Sequence, residues 1–115
     1  MLDSKTLIVS TLSKILPTYY EDYSQGDINL PCITYMENDN YSREEGTTIR
    51  YSDVAYVIKV WDNNIQTAMG YAQAVDLAMR SLGFKRTSST ELVANGQICK
   101  IMYFRALAIE FIDKQ

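Results

Sequence analysis

The sequence predicts an α+β fold: a small, mainly antiparallel four-stranded sheet with helices on one face, in the order α-β-β-α-β-β. Three observations carry this. Residues 65–82 repeat apolar side chains at helical spacing. Residues 51–61 and 98–112 alternate with period two, as long strands do. Two shorter strand-like runs, 32–37 and 84–93, each neighbour one of the long ones across polar turn residues, which makes two antiparallel hairpins.

In chain order, residues 3–16 read as a helix. Asp3 or Ser4 can cap it, Leu7, Ile8, Leu12, Ile15 and Leu16 recur on one face, and Pro17 stops it. Residues 18–31 are polar and tyrosine-rich and read as a loop. The first strand is Cys32–Glu37. Asn38–Arg50, with its Asn/Asp residues, Glu44, Glu45 and Gly46, reads as a long, exposed hairpin connection. The second strand spans about Tyr51–Trp61 and ends in "WDNN", where Asn63 and Gln66 have the spacing of a capping box.

The second helix carries one apolar stripe, Ile65, Ala68, Met69, Ala72, Val75, Met79 and Leu82, with Gly83 where a left-handed C-cap belongs. A second stripe, Thr67, Gly70, Ala74, Leu77, Ala78 and Ser81, is built of small or apolar residues. Gly70 costs the helix about 1 kcal/mol relative to alanine, so a close approach to its backbone is expected. Helix one of the same chain and a neighbouring subunit are equal candidates for that approach. The third strand, Phe84–Val93, has a Ser/Thr-rich centre; Asn95–Gly96 supplies a turn, and Ile98 to about Ile112 form the last strand.

The 115 residues fit a single domain, 1–115, which at this length buries roughly two-thirds of the unfolded chain's surface without a metal or disulfide. The 47% hydrophobic and 22% charged residues are ordinary for a globular domain. No run is long and apolar enough for a membrane span, and residues 1–16 do not read as a signal peptide, so cytosolic synthesis is the expectation. Spacing leaves a disulfide between Cys32 and Cys99 open, although each lies in a strand-like run where a buried free thiol is common.

Histidine is absent, which removes Ser-His and Cys-His nucleophile pairs and His-ligated metal sites. Glu37-Asn38-Asp39-Asn40 lacks the ligand spacing of a calcium loop. Glu44 and Glu45 are adjacent on a predicted loop that fixes no acid–base separation. No serine is placed to pair with Lys59 or Lys100, and the five glycines form no phosphate loop. No catalytic, cofactor or metal constellation emerges.

Charge is segregated. Between Tyr19 and Glu45 lie seven acids and one base; between Arg80 and Arg105 lie five bases and one acid. A dipolar monomer would account for this. So would a head-to-tail contact between copies, in which one patch meets a different patch of opposite sign. The expected contact residues are Glu37, Asp39, Arg43, Glu44, Glu45 and Arg50 from the front of the chain. From the back they are Gly70, Ala74, Arg80, Lys85, Arg86 and Arg105.

The succession of the N-terminal helix, "LPCITYME" (30–37), "DVAYVIKVWDNN" (53–64), "VDLAMRSLGFKR" (75–86) and "NGQICKIMYFRALAIEF" (95–111) resembles the tail completion or tail terminator proteins of long-tailed, non-contractile bacteriophages and prophages. The resemblance covers most of the chain and rests on the order of these segments and the total length. The family often has a histidine before the lysine of the last strand; Cys99 stands there, and no role transfers to it. The resemblance implies a non-enzymatic virion protein without cofactors, made in the bacterial cytoplasm. It implies a homo-hexameric ring at the head–tail junction that meets the tail tube protein and the head-side connector protein, while DNA passes through without specific binding. A head-side joining component, and a small cytosolic ligand-binding or regulatory module, are the alternatives.

Overall fold

The backbone at 62–67 shows how the sequence sets the architecture. In the computed structural model, which describes residues 4–20, 30–45, 49–94 and 96–111 (side chains of 4, 39–53, 94 and 107–111 excepted), a long strand ends at Asp62 and a helix begins at Ile65. The elements are α1 (Ser4–Leu12), β1 (Thr18–Tyr20), β2 (Cys32–Glu45), β3 (Ile49–Asp62), α2 (Ile65–Ser81), β4 (Lys85–Ala94) and β5 (Gln97–Phe111). They form a five-stranded mixed sheet in the order β1-β2-β3-β5-β4. The α+β class and both antiparallel hairpins are as the sequence predicts.

Two details differ. A fifth strand, β1, lies in the stretch read as loop and pairs parallel to β2, Thr18 with Ile33 through Tyr20 with Tyr35. The predicted 38–50 connection is mostly strand: β2 continues to Glu45 and β3 begins at Ile49, paired without interruption from Asp39–Ala55 to Glu45–Ile49. Residues of low strand propensity are held there because β3 also pairs along this whole length with β5. Glu44 and Glu45 therefore occupy consecutive strand positions rather than a loop, and a β-bulge between Glu37 and Asp39 replaces the weak calcium-loop pattern. Asp3, the other candidate cap of helix one, lies outside the described residues.

Both helices lie on one face. Even-numbered β3 residues Val54, Tyr56, Ile58 and Val60 pack with Ile8 and Leu12 of α1, Val75 and Met79 of α2, and Met102 and Phe104 of β5. Tyr56 and Phe84 meet edge to face, centroids 5.8 Å apart. The α2 C-terminus closes as expected at Gly83 (φ +99°). Phe84 N–H donates to Met79 C=O and Gly83 N–H to Arg80 C=O, the two bonds of a Schellman motif. On the opposite face Val57, Cys99 and Ile101 are buried against Trp61 and Tyr103.

The helix layer is shorter than the sheet. The 17 residues of α2 span about 25 Å, whereas β3 with 14 residues spans about 46 Å. The helix starts beside Asp62, and the segment that leaves it brings Phe84 to the level of Tyr56. At the other end of the same layer, Lys5 of α1 reaches Glu37, which pairs with Tyr56. β4 begins at Lys85, level with Arg105 and Ala55, and β1 pairs no further than Tyr35. Beyond that level three of the described strands continue: Asn40–Glu45, Ile49–Val54 and Ala106–Phe111. This sheet extension is about 20 Å long.

Candidate interaction surface

The strand-to-helix joint is built by side chains that satisfy orphan backbone donors. Asn64, not Asn63, is the N-cap: its Oδ1 accepts from the Gln66 and Thr67 N–H groups at 2.9 and 3.1 Å. Asp62 is buried and accepts from Asn63 N–H (2.7 Å) and from the Thr67 hydroxyl. On the sheet face opposite the helices, Trp61 Nε1–H donates to Thr34 Oγ1 at 2.9 Å and Lys59 Nζ stands 5.9 Å from the indole centroid. These groups fix one another, and the joint is architectural.

The cysteines flank Trp61 in one cross-sheet row, Cys32–Trp61–Cys99. Two strand spacings separate them by about 10 Å, beyond the reach of a disulfide; both are free and buried. Burial pushes the Cys32 thiol from 9.0 up to about 11, which makes it a poor nucleophile.

The outer side of α2 is a different surface. The buried residues are Ala68, Ala72, Val75 and Met79, whereas Ile65 and Met69, expected in the core stripe, are half exposed at 51% and 52%, and Leu77 is 69% exposed. The first strand-to-helix turn rotates the predicted stripe so that its N-terminal members face outward. Gly70 is exposed, and a Cβ added there meets no atom within 4 Å. Helix one is therefore not what approaches Gly70. Ala74 beside it is half buried.

Beneath this face, between α2 and the β4–β5 hairpin, a groove of about 400 Å³ is lined by Met69, Gln73, Leu77, Met102, Arg86 and Lys100, with Asp76 at its floor. Arg80 Nε–H donates to Asp76 Oδ2 at 2.9 Å, and the Arg86 guanidinium lies 3.7 Å from Asp76 Oδ1. Lys100 bonds Glu91 at 3.3 Å. Two of the predicted basic contact residues, Arg80 and Arg86, thus converge on one helix carboxylate that the charge count overlooked. The Asp76–Arg80 spacing of four is the signal that could have found it.

The other predicted contacts are distributed. Lys85 and Arg105 are cross-strand partners, both exposed. Glu37 is half buried and pairs with Lys5 at 3.5 Å, so it ties α1 to the sheet. Asp39, Arg43, Glu44, Glu45 and Arg50 lie in β2 and β3 at the extension, and their side chains are outside the described ones. Among the described residues no three Cys, Asp or Glu side chains group as metal ligands. No helix there is long and apolar enough to cross a membrane.

No family model and no curated protein matches the chain. Solved structures share its fold. A chain from the virion of a native gene transfer agent particle superposes with a TM-score of 0.63 at 15% identity, covering 90% of this chain and 84% of that one. A second structure, with no descriptive name, gives a TM-score of 0.51 at 10% identity over 96% of this chain and 98% of the other.

Proposed function

We propose that this chain is a structural subunit of a phage or phage-like virion, acting at the head–tail junction as a tail terminator that closes the tail tube and meets the head connector. The observation that carries this reading is the correspondence of fold, over 90% of the chain, with a component of a gene transfer agent virion. The order of sequence segments that resembles tail terminators supports the narrower assignment, and a hexameric ring is the assembly it implies. A head-side joining component draws the same support from the virion neighbour, which is named only by its particle.

The physical reading favours assembly over chemistry. The Cys32 thiol is buried and made less reactive, and the sheet runs some 20 Å past its helices. The far ends of β2, β3 and β5 pair beyond the reach of the other described strands, and a three-stranded ribbon gains from a partner.

The deciding experiment adds purified protein to lysates of a related phage defective in its tail terminator and, separately, in its head-side connector. Restored infectivity in the first supports the terminator role, and restoration in the second moves the chain to the head side. Inactivity in both, with a stable monomer at every concentration in native mass spectrometry, overturns the reading.

A further inference from the structure

One row of cross-strand partners crosses the whole sheet on its helix side: Tyr20–Tyr35–Ile58–Met102–Ser89. Its two ends differ. At the β1 edge Tyr20 is exposed, its ring standing edge to face against Tyr35 with centroids 5.4 Å apart. At the β4 edge the row passes beneath the groove beside α2, where Met102 is part of the lining. It stops at Ser89, in a strand exposed at every residue from Lys85 to Val93. The other large apolar residues exposed on the described surface, Ile65, Met69, Leu77, Leu92 and Val93, all belong to α2 or β4. Within the groove Asp76 Oδ1 is buried and accepts no hydrogen bond from a described residue; the Arg86 guanidinium, at 3.7 Å, is too far to donate. A buried acceptor left open is costly, and a donor from outside the subunit would relieve it.

The geometry points to Tyr20 of a second copy as the occupant of this groove, an inference that rests on the self-assembling reading above. Direction agrees: β1 runs parallel to β2 and β4 runs opposite to both. So β1 of one copy adds antiparallel to β4 of the next, with the helices of both on the same side. Level agrees. A closed ring has no rise along its axis, so with the strands along that axis the row continues from Ser89 into the neighbour's Tyr20. That tyrosine stands one strand spacing, about 4.8 Å, outside β4 and on the groove side of the sheet. Chemistry agrees as well. Met69, Leu77 and Met102 receive the ring, for which the thioethers are favourable neighbours. The hydroxyl supplies the donor that Asp76 Oδ1 lacks. Arg86, with Arg80 and Lys100 nearby, admits this neutral donor where a lysine or arginine would be repelled. Tyr20 and the groove are different patches at opposite edges of the sheet, so the contact propagates head to tail.

Native mass spectrometry of the full chain tests this. Tyr20→Ala and Leu77→Glu each remove one half of the contact at an exposed position, and circular dichroism verifies that every variant folds. Where wild type forms rings, each of these variants alone should stay monomeric. An equimolar mixture should give dimers that grow no further, because one intact Tyr20 meets one intact groove. The milder Tyr20→Phe keeps the ring and drops the hydroxyl. It should weaken association about tenfold in an otherwise wild-type chain and leave it unchanged in Asp76→Ala. Rings from Tyr20→Ala or Leu77→Glu alone, or a Tyr20→Phe effect undiminished in Asp76→Ala, would overturn the proposal with the self-assembling reading left standing. A wild type that stops at dimers shows a two-fold contact and overturns it too. A wild type that neither assembles nor rescues tail-defective lysates removes both.

Discussion

At the residue scale the structure makes two side chains answerable. Asp62 is 3% exposed and its carboxylate serves both the Asn63 N–H and the Thr67 hydroxyl. Replacing it with alanine removes the acceptor of the Asn63 N–H and one of the two acceptors of the Thr67 hydroxyl, which keeps Asn64 C=O. The Asp62→Ala chain should lose about 1–3 kcal/mol in urea unfolding, with the native fold retained by circular dichroism. Cys32 makes a prediction in pH. Its thiol holds its proton to about pH 11 when folded and to 9.0 when unfolded. Above pH 9 the unfolded chain is therefore favoured by losing that proton, while below it the difference vanishes. Between pH 9 and 11 the wild type should lose stability, by an amount on the order of 1–2 kcal/mol, relative to Cys32→Ala measured in parallel. A thiol reagent at pH 8 should label neither cysteine until denaturant is added. Position 32 was readable as a buried thiol because its neighbours alternate like a strand; its separation from Cys99 was not, because only the register places Trp61 between them.

Among the elements, α2 was the most legible and yet its orientation was not. Gly83 and the apolar repeat are local signals, and local chemistry is what sequence records best, although the cap falls on Asn64, one residue past the expected Asn63. Which way Ile65 and Met69 turn depends on how Asp62 launches the helix over the sheet, a tertiary fact. The 38–50 segment misleads in the opposite sense: Asn, Asp, Ser and Glu disfavour strand, but pairing with β3, itself paired to β5, overrides that preference. β1 is missed because three residues in a polar stretch carry no period; it forms by adding to an edge already made by β2. The glycine of α2 gives the element's own prediction. Nothing among the described residues lies within 4 Å of a Cβ at position 70, so Gly70→Ala should raise monomer stability by about 0.5–1 kcal/mol. If a neighbouring subunit packs on that backbone, the same methyl should weaken self-association. Opposite signs in chemical denaturation and in sedimentation analysis are the expected result.

Taken whole, the molecule is longer than its mass requires. Its radius of gyration is 15.5 Å, against about 13 Å for a compact domain of this length, and its long axis is 53 Å. The excess lies in the direction in which β2, β3 and β5 outrun α1, α2, β1 and β4. Cooperative stability should divide along the same line. Amides of Val54–Val60 and Cys99–Phe104 sit under or beside the packed core and open only when the domain unfolds. Amides of Tyr41–Glu45, Ile49–Asp53 and Leu107–Phe111 belong to strand segments that pair beyond the last residues of β1 and β4. In the monomer these should exchange at least about tenfold faster than the core set, as a contiguous unit. On assembly the extension should gain protection, because a three-stranded ribbon beyond the other described strands gains from a partner. An extension that exchanges as fast in the assembled particle as in the monomer would place the subunit contact elsewhere on the molecule.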